Sequence, residues 1–587
     1  MQNQINFSLP VQDLFLNPAV DGGISLPYPA EFFWRPATPA LIQGFATSAF
    51  EEVNYKINAY LNVTKRHKIF SQAIEFNTVP VLLEQACFSE SFALAQGKVL
   101  LPGARLLKRY CWENQEDDLD PEEQLVSYFQ DCQRQNIDAS IPLYTQALPE
   151  NLAVAIACRS ITNPYAFIAE ALPQLAQIAG SGFRGDVFFH FSNRVKSPHP
   201  AVQEIVADLF PEFVGRIFFE PAPKHYDHVL TVLDLLHVYF QFPTEVVGSV
   251  AHLAPSDAMF RGHDGYVESR TILSMNAFSS SLSALRRRGL RAIEGKDFSY
   301  LPKRFFVGLP DDAPSIVGAE QLLEMLRLFG FQRVDFDKLS PLEQIAIMAN
   351  AEMAITPHSA NLTHMMFASP QTFVLVLGTL QTAVHRWDEY WGHAHVSGCH
   401  YISFFADFDA PDPKVSPSID LDGMVPVALS DQTVAEVLAF IVCILGYFPG
   451  LPTARSLLTL AERLICVGEH DHALQLLENH SDLVKTHAGL CVAKADCHKA
   501  RAEPYQEIAA LYLAYDLDKS DVKILLRIFW GAKRADRSDI MSWARSRCAE
   551  ISRTVTALSS SPILGWHCCP EVSLNGLCRM GCLFKSV

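Results

Sequence analysis

Residues 356–363 read Thr-Pro-His-Ser-Ala-Asn-Leu-Thr. An apolar run from Met353 to Ile355 leads into them as a buried strand, and a helical start follows near Asn361 to Thr363. N–H groups at a helix start have no partner within the helix, and the helix dipole adds to their attraction for an anion. His358 brings another donor or a positive charge, while Ser359, Asn361 and Thr363 bring side-chain donors. The chemistry this set suits is the cradling of a phosphate, and a nucleotide diphosphate fits it. The plainer alternative is that Thr356 or Asn361 caps the helix and His358 packs in the turn.

A cradle works only if the elements on either side hold it. Around the loop, strands are predicted at 304–309, 332–336, 353–356 and 372–377, and helices at 318–329, from Pro341 onward and at 362–367. Ser340 before Pro341, with Glu343 at the third helical position, forms a capping box. An earlier alternation has strands at 153–158, 186–191 and 215–220, with helices at 166–179 and 202–210. This spacing predicts βαβ units, parallel sheets and two lobes that face a cleft at the carboxyl ends of their strands. The expected divisions are an irregular arm (1–69), an N-terminal lobe (70–250), a C-terminal, ligand-binding lobe (251–450), a helical-repeat module (451–547) and a cysteine-containing tail (548–587). The repeat is read from Ala461-Glu462 through Leu477, which recurs loosely thirty-four residues later near Ala495 to Leu511.

Composition narrows the partners. The 587 residues carry a net charge of −17, which excludes wholesale nucleic-acid binding because neutralising phosphates needs a basic face. Ten of the fourteen cysteines are scattered singly from Cys87 to Cys548, a pattern of reduced thiols rather than a disulfide framework. The apolar run 437–448 is twelve residues long, too short for a hydrocarbon layer of about 30 Å, so it reads as a buried helix and no transmembrane segment is expected. The first ten residues lack a basic region followed by an apolar stretch, so the expected location is cytoplasmic, or peripheral to the inner membrane face.

The stretch from Leu339 to Phe367 resembles the signature of glycosyltransferase family 61, which reads leucine-serine, Glu-Gln, an alanine-rich helix, a strand, then His-Gly-Ala-Gly-Leu-Thr-Asn and a Phe. Asn163 to Leu175 resembles that family's N-lobe helix, Asn-x-Tyr-His-Trp leading into Glu-x-Leu-Pro-Arg, and 303–307 with 326–334 resemble its next strand, helix and Gly-Phe turn. The resemblance implies an α/β fold of the GT-B type, two Rossmann-like lobes, with a C-terminal helical module of tetratricopeptide type. It implies transfer of a sugar from a nucleotide-sugar donor to a glycan, protein or other hydroxyl acceptor, as in surface polysaccharide synthesis, with no cofactor and no required metal.

Carried onto this chain, Glu170 is the candidate base and His358 the second catalytic candidate. His358, Ser359, Ala360, Asn361, Leu362, Thr363 and Arg304 are the donor-binding set. The chain departs from the pattern at Ala166, Gln174, Leu309 and Val376, and has Ser359 and Asn361 where the family has glycines. The rival expectation is a catalytically impaired scaffold that acts through its helical repeats. The C-terminal helices are expected to dock a protein partner or acceptor. Arg286, Arg287, Arg288 and Arg291 form a basic patch suited to phosphate, a membrane surface or a solvated face. His385, His393, His395 and His400 cluster among aromatics without a metal-ligand spacing, and favour an acceptor wall or packing.

Overall fold

The computed structural model describes residues 5–18, 20–67, 73–100, 110, 113–114, 141–149, 152–183, 185–235, 276–308, 316–410, 412, 414–445, 453–466 and 470–559. Leu309, a polar segment at 243–265 expected to cross between the lobes, most of an acidic stretch at 113–123 expected to be a solvated loop, and the tail beyond Ser559 lie outside these residues.

The first 69 residues were expected to be irregular, but they contain a strand and a long helix. β1 (Leu41–Ala46) leads to α1 (Glu51–His67). α1 buries Val53, Ile57 and Leu61, one stripe at four-residue spacing. Asp407 accepts bonds from Ser48 Oγ and from Ala49 N (3.2 Å to each carboxylate oxygen) and so fixes the turn between them.

One sheet then forms from β2 (Thr78–Ser89), β3 (Phe92–Ala95), β4 (Lys98–Val99), β5 (Val154–Ala157), β6 (Val187–Phe191), β7 (Ile217–Pro221) and β8 (Lys224–Asp234). Its order is β7-β6-β5-β8-β2-β3-β4. β5, β6, β7 and β8 are mutually parallel neighbours, and β8 turns the sheet antiparallel at β2. After β5 come α2 (Pro164–Glu170), α3 (Leu172–Gly180) and, after β6, α4 (Pro200–Leu209). The sequence suggested one helix at 166–179. Pro173 splits it, because it has no N–H to continue the ladder and sits in the first turn of α3.

A second sheet is wholly parallel. After α5 (Ser280–Ile293) it takes β9 (Arg304–Gly308), α6 (Ala319–Arg327), β10 (Gln332–Asp335), α7 (Pro341–Ala349), β11 (Met353–Pro357), β12 (Phe373–Gly378), α8 (Leu380–His385), α9 (Trp391–Ser397) and β13 (His400–Phe405). The order is β10-β9-β11-β12-β13-β1, so residues 41–46 supply the edge strand beside a partner more than 350 positions later. β11 and β12 are buried along their whole length, as parallel strands covered on both faces are. The capping box at Ser340 and Glu343 is present: Glu343 Oε2 accepts Ser340 N at 2.8 Å. Gln344 Nε2 donates to the carbonyls of Phe336 (2.8 Å) and Leu339 (3.2 Å). The Glu343-Gln344 pair of the signature is therefore structural and braces the turn between β10 and α7.

α5 carries the arginine run, in which Arg287 and Arg291 are exposed while Arg286 and Arg288 are half-buried and bond other elements. Arg286 Nη1 donates to the carbonyls of Met366 (2.6 Å) and Ala368 (2.7 Å). Arg288 donates to the Leu209 carbonyl (2.7 Å), pairs with Glu212 (2.7 Å) and lies over the Phe210 ring. At Gly289 a Cβ would stand 2.5 Å from Phe367, so only glycine permits that approach.

The chain divides into two units between Leu438 and Ala439, within α10 (Asp431–Leu445). Val437, Phe440, Ile441 and Cys443 of the apolar run are buried in α10, and among the described residues no helix is long and apolar enough to cross a membrane. The second unit holds three helical hairpins: α11 (Ala454–Cys466) with α12 (His470–Asn479), α13 (Ala488–Ala500) with α14 (Pro504–Leu517), and α15 (Val522–Arg534) with α16 (Ser538–Ser559). First helices begin at 454, 488 and 522 and second helices at 470, 504 and 538, so both series step by 34 residues. Gly489 lets α13 approach α11, since a Cβ there would meet Leu458 at 2.9 Å. Cys548, assigned to a tail from the sequence, lies inside α16. The described cysteines are free thiols.

Replacing Arg286 with Ala strands two carbonyls at the end of the 360–367 segment. The expected loss is about 1–3 kcal/mol, read as a lower urea midpoint at unchanged slope.

Candidate active site

In an open parallel sheet, ligands bind outside the carboxyl ends of the strands, where neighbouring strands are connected in opposite directions. The second sheet has that point between β9 and β11, since β10 lies to one side and β11 to the other. The loop His358 to Thr363 leaves β11 there. The first sheet has its own such point between β5 and β8, and the loop leaving β5 carries Arg159.

The 358–363 loop opens a 3₁₀ segment, Ala360–Phe367, rather than the α-helix expected at 362–367. Its tighter winding turns Leu362 and Thr363 into the core, where both are buried. Leu362 N donates to Ser359 O at 3.1 Å, closing the first turn. Leu362 and Thr363, read as donor-binding, are thus packing residues. Ser359, Ala360 and Asn361 are half-buried.

His358 does not carry the charge the sequence allowed it. Its side chain is 5% exposed, and Nε2 faces the Arg386 carbonyl at 3.0 Å. A carbonyl only accepts, so Nε2 holds the proton. Burial, then the Arg386 charge, pushes its pKa down to about 4, so the ring is neutral at pH 7. The ring packs 5.4 Å from Tyr390, and Glu389 Oε2 is 4.0 Å from Nε2. The Arg386 carbonyl and the Tyr390 ring thus hold His358 in place at the start of the loop.

Glu170 ends α2 and pairs with Arg159 at 2.8 Å, both side chains about two-fifths exposed (42% and 41%). Arg159 is close enough for its charge to act on Tyr390, whose phenol burial raises well above its ordinary value, with Glu389 raising it and Arg386 and Arg159 opposing. Tyr390 thus has His358 beside it and feels the charges of Glu389 and Arg386 from its own sheet and of Arg159 from the other. Sequence reasoning singled out neither Arg159 nor Arg386, and had Tyr390 only among the aromatics around the histidine cluster. The available signal for Arg159 was its place as the first basic residue past the carboxyl end of a buried strand.

A second bridge lies beside the first. Tyr165, in the first turn of α2, donates to Asp337 Oδ1 at 2.5 Å, just past β10, and meets His364 edge to face at 5.6 Å. His364 is fully buried among Tyr165, Phe336 and Phe367, and neither ring nitrogen has a partner. Ser359 Oγ and His393 Nε2 are likewise buried and unpartnered. Burial pushes the pKa of His364 down to about 3 and that of His393 to about 4.

Arg304 does not join this site. It begins β9, beside Met353 at the start of β11, so it stands at the opposite end of the sheet from the loop. There it bonds Glu352 (2.9 Å) and the Phe329 carbonyl (2.9 Å). Of the departures, Ala166 is the residue whose N–H is capped by Asn163 Oδ1 (3.1 Å), Gln174 Nε2 bonds the Glu170 carbonyl (2.9 Å), and Val376 is buried in β12. In the histidine cluster, His395 Nδ1 accepts Ala40 N at 3.0 Å and His400 packs on Phe373. Among the described residues no group of three or more His, Cys, Asp or Glu side chains is placed to hold a metal ion.

The geometry can now be set beside known proteins. Residues 165–375 match the family model for Glycosyltransferase 61. This segment is a glycosyltransferase family 61 domain. It runs from Tyr165, at the bridge to Asp337, through the 358–363 loop and into β12, and it brings glycosyl transfer as the class of chemistry. No curated protein matches the chain.

The buried imidazoles set an acid limit. Their folded pKa values lie below the unfolded value of about 6.5, so between pH 6.5 and 4 the unfolded chain binds more protons and stability rises with pH. Stability is full above 6.5 and falls through that window, by about 1.4 kcal/mol per pH unit for each proton. His364→Leu removes one of the three, so urea midpoints measured against pH should fall less steeply than in the parent. An unchanged slope would mean that His364 titrates alike in both states.

Proposed function

We propose that the protein transfers a sugar from a nucleotide-sugar donor to a hydroxyl of a glycan or other acceptor, in a cleft between two GT-B-type lobes. The observation that carries this reading is the contact between the two sheets' connections, where Tyr165 of α2 bonds Asp337 past β10 and meets His364 of the 360–367 segment. The donor diphosphate lies against the N–H groups of Ala360 and Asn361 and draws Arg159 and Arg386. Arg159 then leaves Glu170, and a carboxylate that loses a cationic partner becomes more basic. Glu170 takes the acceptor hydroxyl proton, the acceptor oxygen bonds to the sugar's anomeric carbon, and the bond from that carbon to the diphosphate breaks with its electrons going to the phosphate. No cofactor is needed for this step. The 34-residue hairpins are read as tetratricopeptide-type repeats that dock a partner or acceptor, and surface polysaccharide synthesis is the expected setting.

The rival reading, a scaffold with a silent cleft, draws on the Arg159–Glu170 and Arg386–Glu389 pairs, which already satisfy the charges a donor would need. A thermal-shift screen of UDP-, GDP- and CMP-sugars separates the two. At a hundredfold excess over Kd a bound donor stabilises the folded chain by about 2.7 kcal/mol. Arg159→Ala and Arg386→Ala should each weaken that donor about 10- to 100-fold. If no donor raises the melting temperature, the scaffold reading stands. If a donor does so equally in both variants, the arginine grip is wrong.

A further inference from the structure

α2 has seven residues, and its two ends serve different partners. In its first turn, Tyr165 donates to Asp337 Oδ1 at 2.5 Å and sets its ring edge to face on His364 at 5.6 Å, so elements of the second sheet hold that end. At its last residue stands Glu170, paired with Arg159 at 2.8 Å. An α-helix rises 1.5 Å per residue, so about 7.5 Å of regular backbone separates the bridge from the carboxylate-bearing residue.

Both sides of the bridge are themselves fixed. On the first-sheet side, Phe167 is buried and packs on the Phe189 ring of β6 at 5.1 Å, while Asn163 caps α2 by accepting Ala166 N at 3.1 Å. On the second-sheet side, Asp337 lies in the short turn Phe336–Lys338, and Gln344 Nε2 braces that turn through the Phe336 and Leu339 carbonyls on either side of Asp337. A phenol that donates to a carboxylate makes one of the stronger hydrogen bonds available to side chains. The 358–363 loop has holds of its own that do not pass through Tyr165. Arg286 bonds the Met366 and Ala368 carbonyls, Leu362 N closes the first turn on Ser359 O, and His358 faces the Arg386 carbonyl.

We infer that Tyr165 is a positioning residue for the transfer step. Through α2 it sets where the Glu170 carboxylate stands relative to the Ala360 and Asn361 N–H groups, and so where the acceptor hydroxyl loses its proton relative to the donor. This role rests on reading Glu170 as the base and the loop as the donor cradle. Its hydroxyl carries the role, since the ring alone contacts His364 and cannot reach Asp337 with a hydrogen bond. A misplacement of about 1 Å at a reacting group costs about 100-fold in rate.

The test uses the full chain and follows nucleotide release from UDP-, GDP- and CMP-sugars with water as the acceptor. Water's oxygen bonds the anomeric carbon, the nucleotide leaves with the electrons of the broken bond, and Glu170 takes the proton. Tyr165→Phe keeps the ring and removes the bond to Asp337. It should lower kcat about 10- to 100-fold and leave the donor KM within about twofold, the signature of a group that matters only in the transition state. Asp337→Ala should do the same, and the double variant should be no slower than either single, because both remove one bond. Asp337→Asn keeps an Oδ1 acceptor and should stay within about threefold of the parent. Asp337 is exposed, so Asp337→Ala carries the comparison if Tyr165→Phe does not fold. A parent that releases nucleotide from none of the donors sinks the transferase reading, and this role with it. A parent that turns over while Tyr165→Phe matches it, or that loses donor affinity instead of kcat in the variant, overturns the positioning role alone. So do additive losses in the double variant, or an Asp337→Asn as slow as Asp337→Ala.

Discussion

Arg286 and Arg288 lie two residues apart on one helix and bond elements that belong to the two different sheets. Arg286 bonds the carbonyls that end the 3₁₀ segment of the second sheet, while Arg288 bonds the end of α4 and Glu212 beside the first sheet. Each guanidinium satisfies carbonyls that a helix or 3₁₀ end leaves without partners. Gly289, next to Arg288, lacks the side chain that would keep Phe367 away. The far end of the 3₁₀ segment Ala360–Phe367 is therefore fixed by a charge from another element. Tyr165 to Asp337 and Arg159 toward Tyr390 then span a gap whose width α5 has already set.

The cost of this arrangement shows in the loop itself. His364 and His393 are buried with unpartnered nitrogens, beside an unpartnered Ser359 Oγ. An orphaned buried polar group costs about 1–3 kcal/mol, so such a cluster persists only where the surroundings over-determine it. Functional loops are the usual place for it, because a loop that relaxed fully would have no unmet hydrogen-bonding capacity to offer a ligand. The neutral state of all three imidazoles also leaves the positive charge of the cleft to Arg159 and Arg386.

Local pattern made the parallel sheets legible, because apolar runs bounded by capping signals at Ser340-Pro341 and Asn163-Pro164 mark strands and helices without knowledge of neighbours. The loop after β11 was legible for the same reason. Pairings across distance were not. β1 joins a sheet whose adjacent strand begins at His400, and nothing in residues 41–46 distinguishes an edge strand from an extended arm. Arg304 was misplaced because adjacency to a strand was read without asking which end it occupied. The Glu343-Gln344 signature looked chemical because it lies near the loop, yet it is spent on a cap and two carbonyls. Arg286 and Arg288 were legible as cations, but their acceptors lie about 80 positions away in both directions.

The departures from the family pattern weigh less once the charges around Tyr390 are summed. An arginine at position 174 would sit one turn past Glu170 and compete with Arg159 for the same carboxylate. With Gln174 there, Arg159 alone pairs Glu170, as Arg386 pairs Glu389, and the four charges cancel. A diphosphate brought into that balance, on the reading proposed above, takes both cations and leaves both carboxylates uncompensated in a half-buried cleft. Such a site favours uptake of a proton, and a proton is what an attacking hydroxyl must lose. On that reading, the basicity of Glu170 follows what Arg159 does when a donor binds.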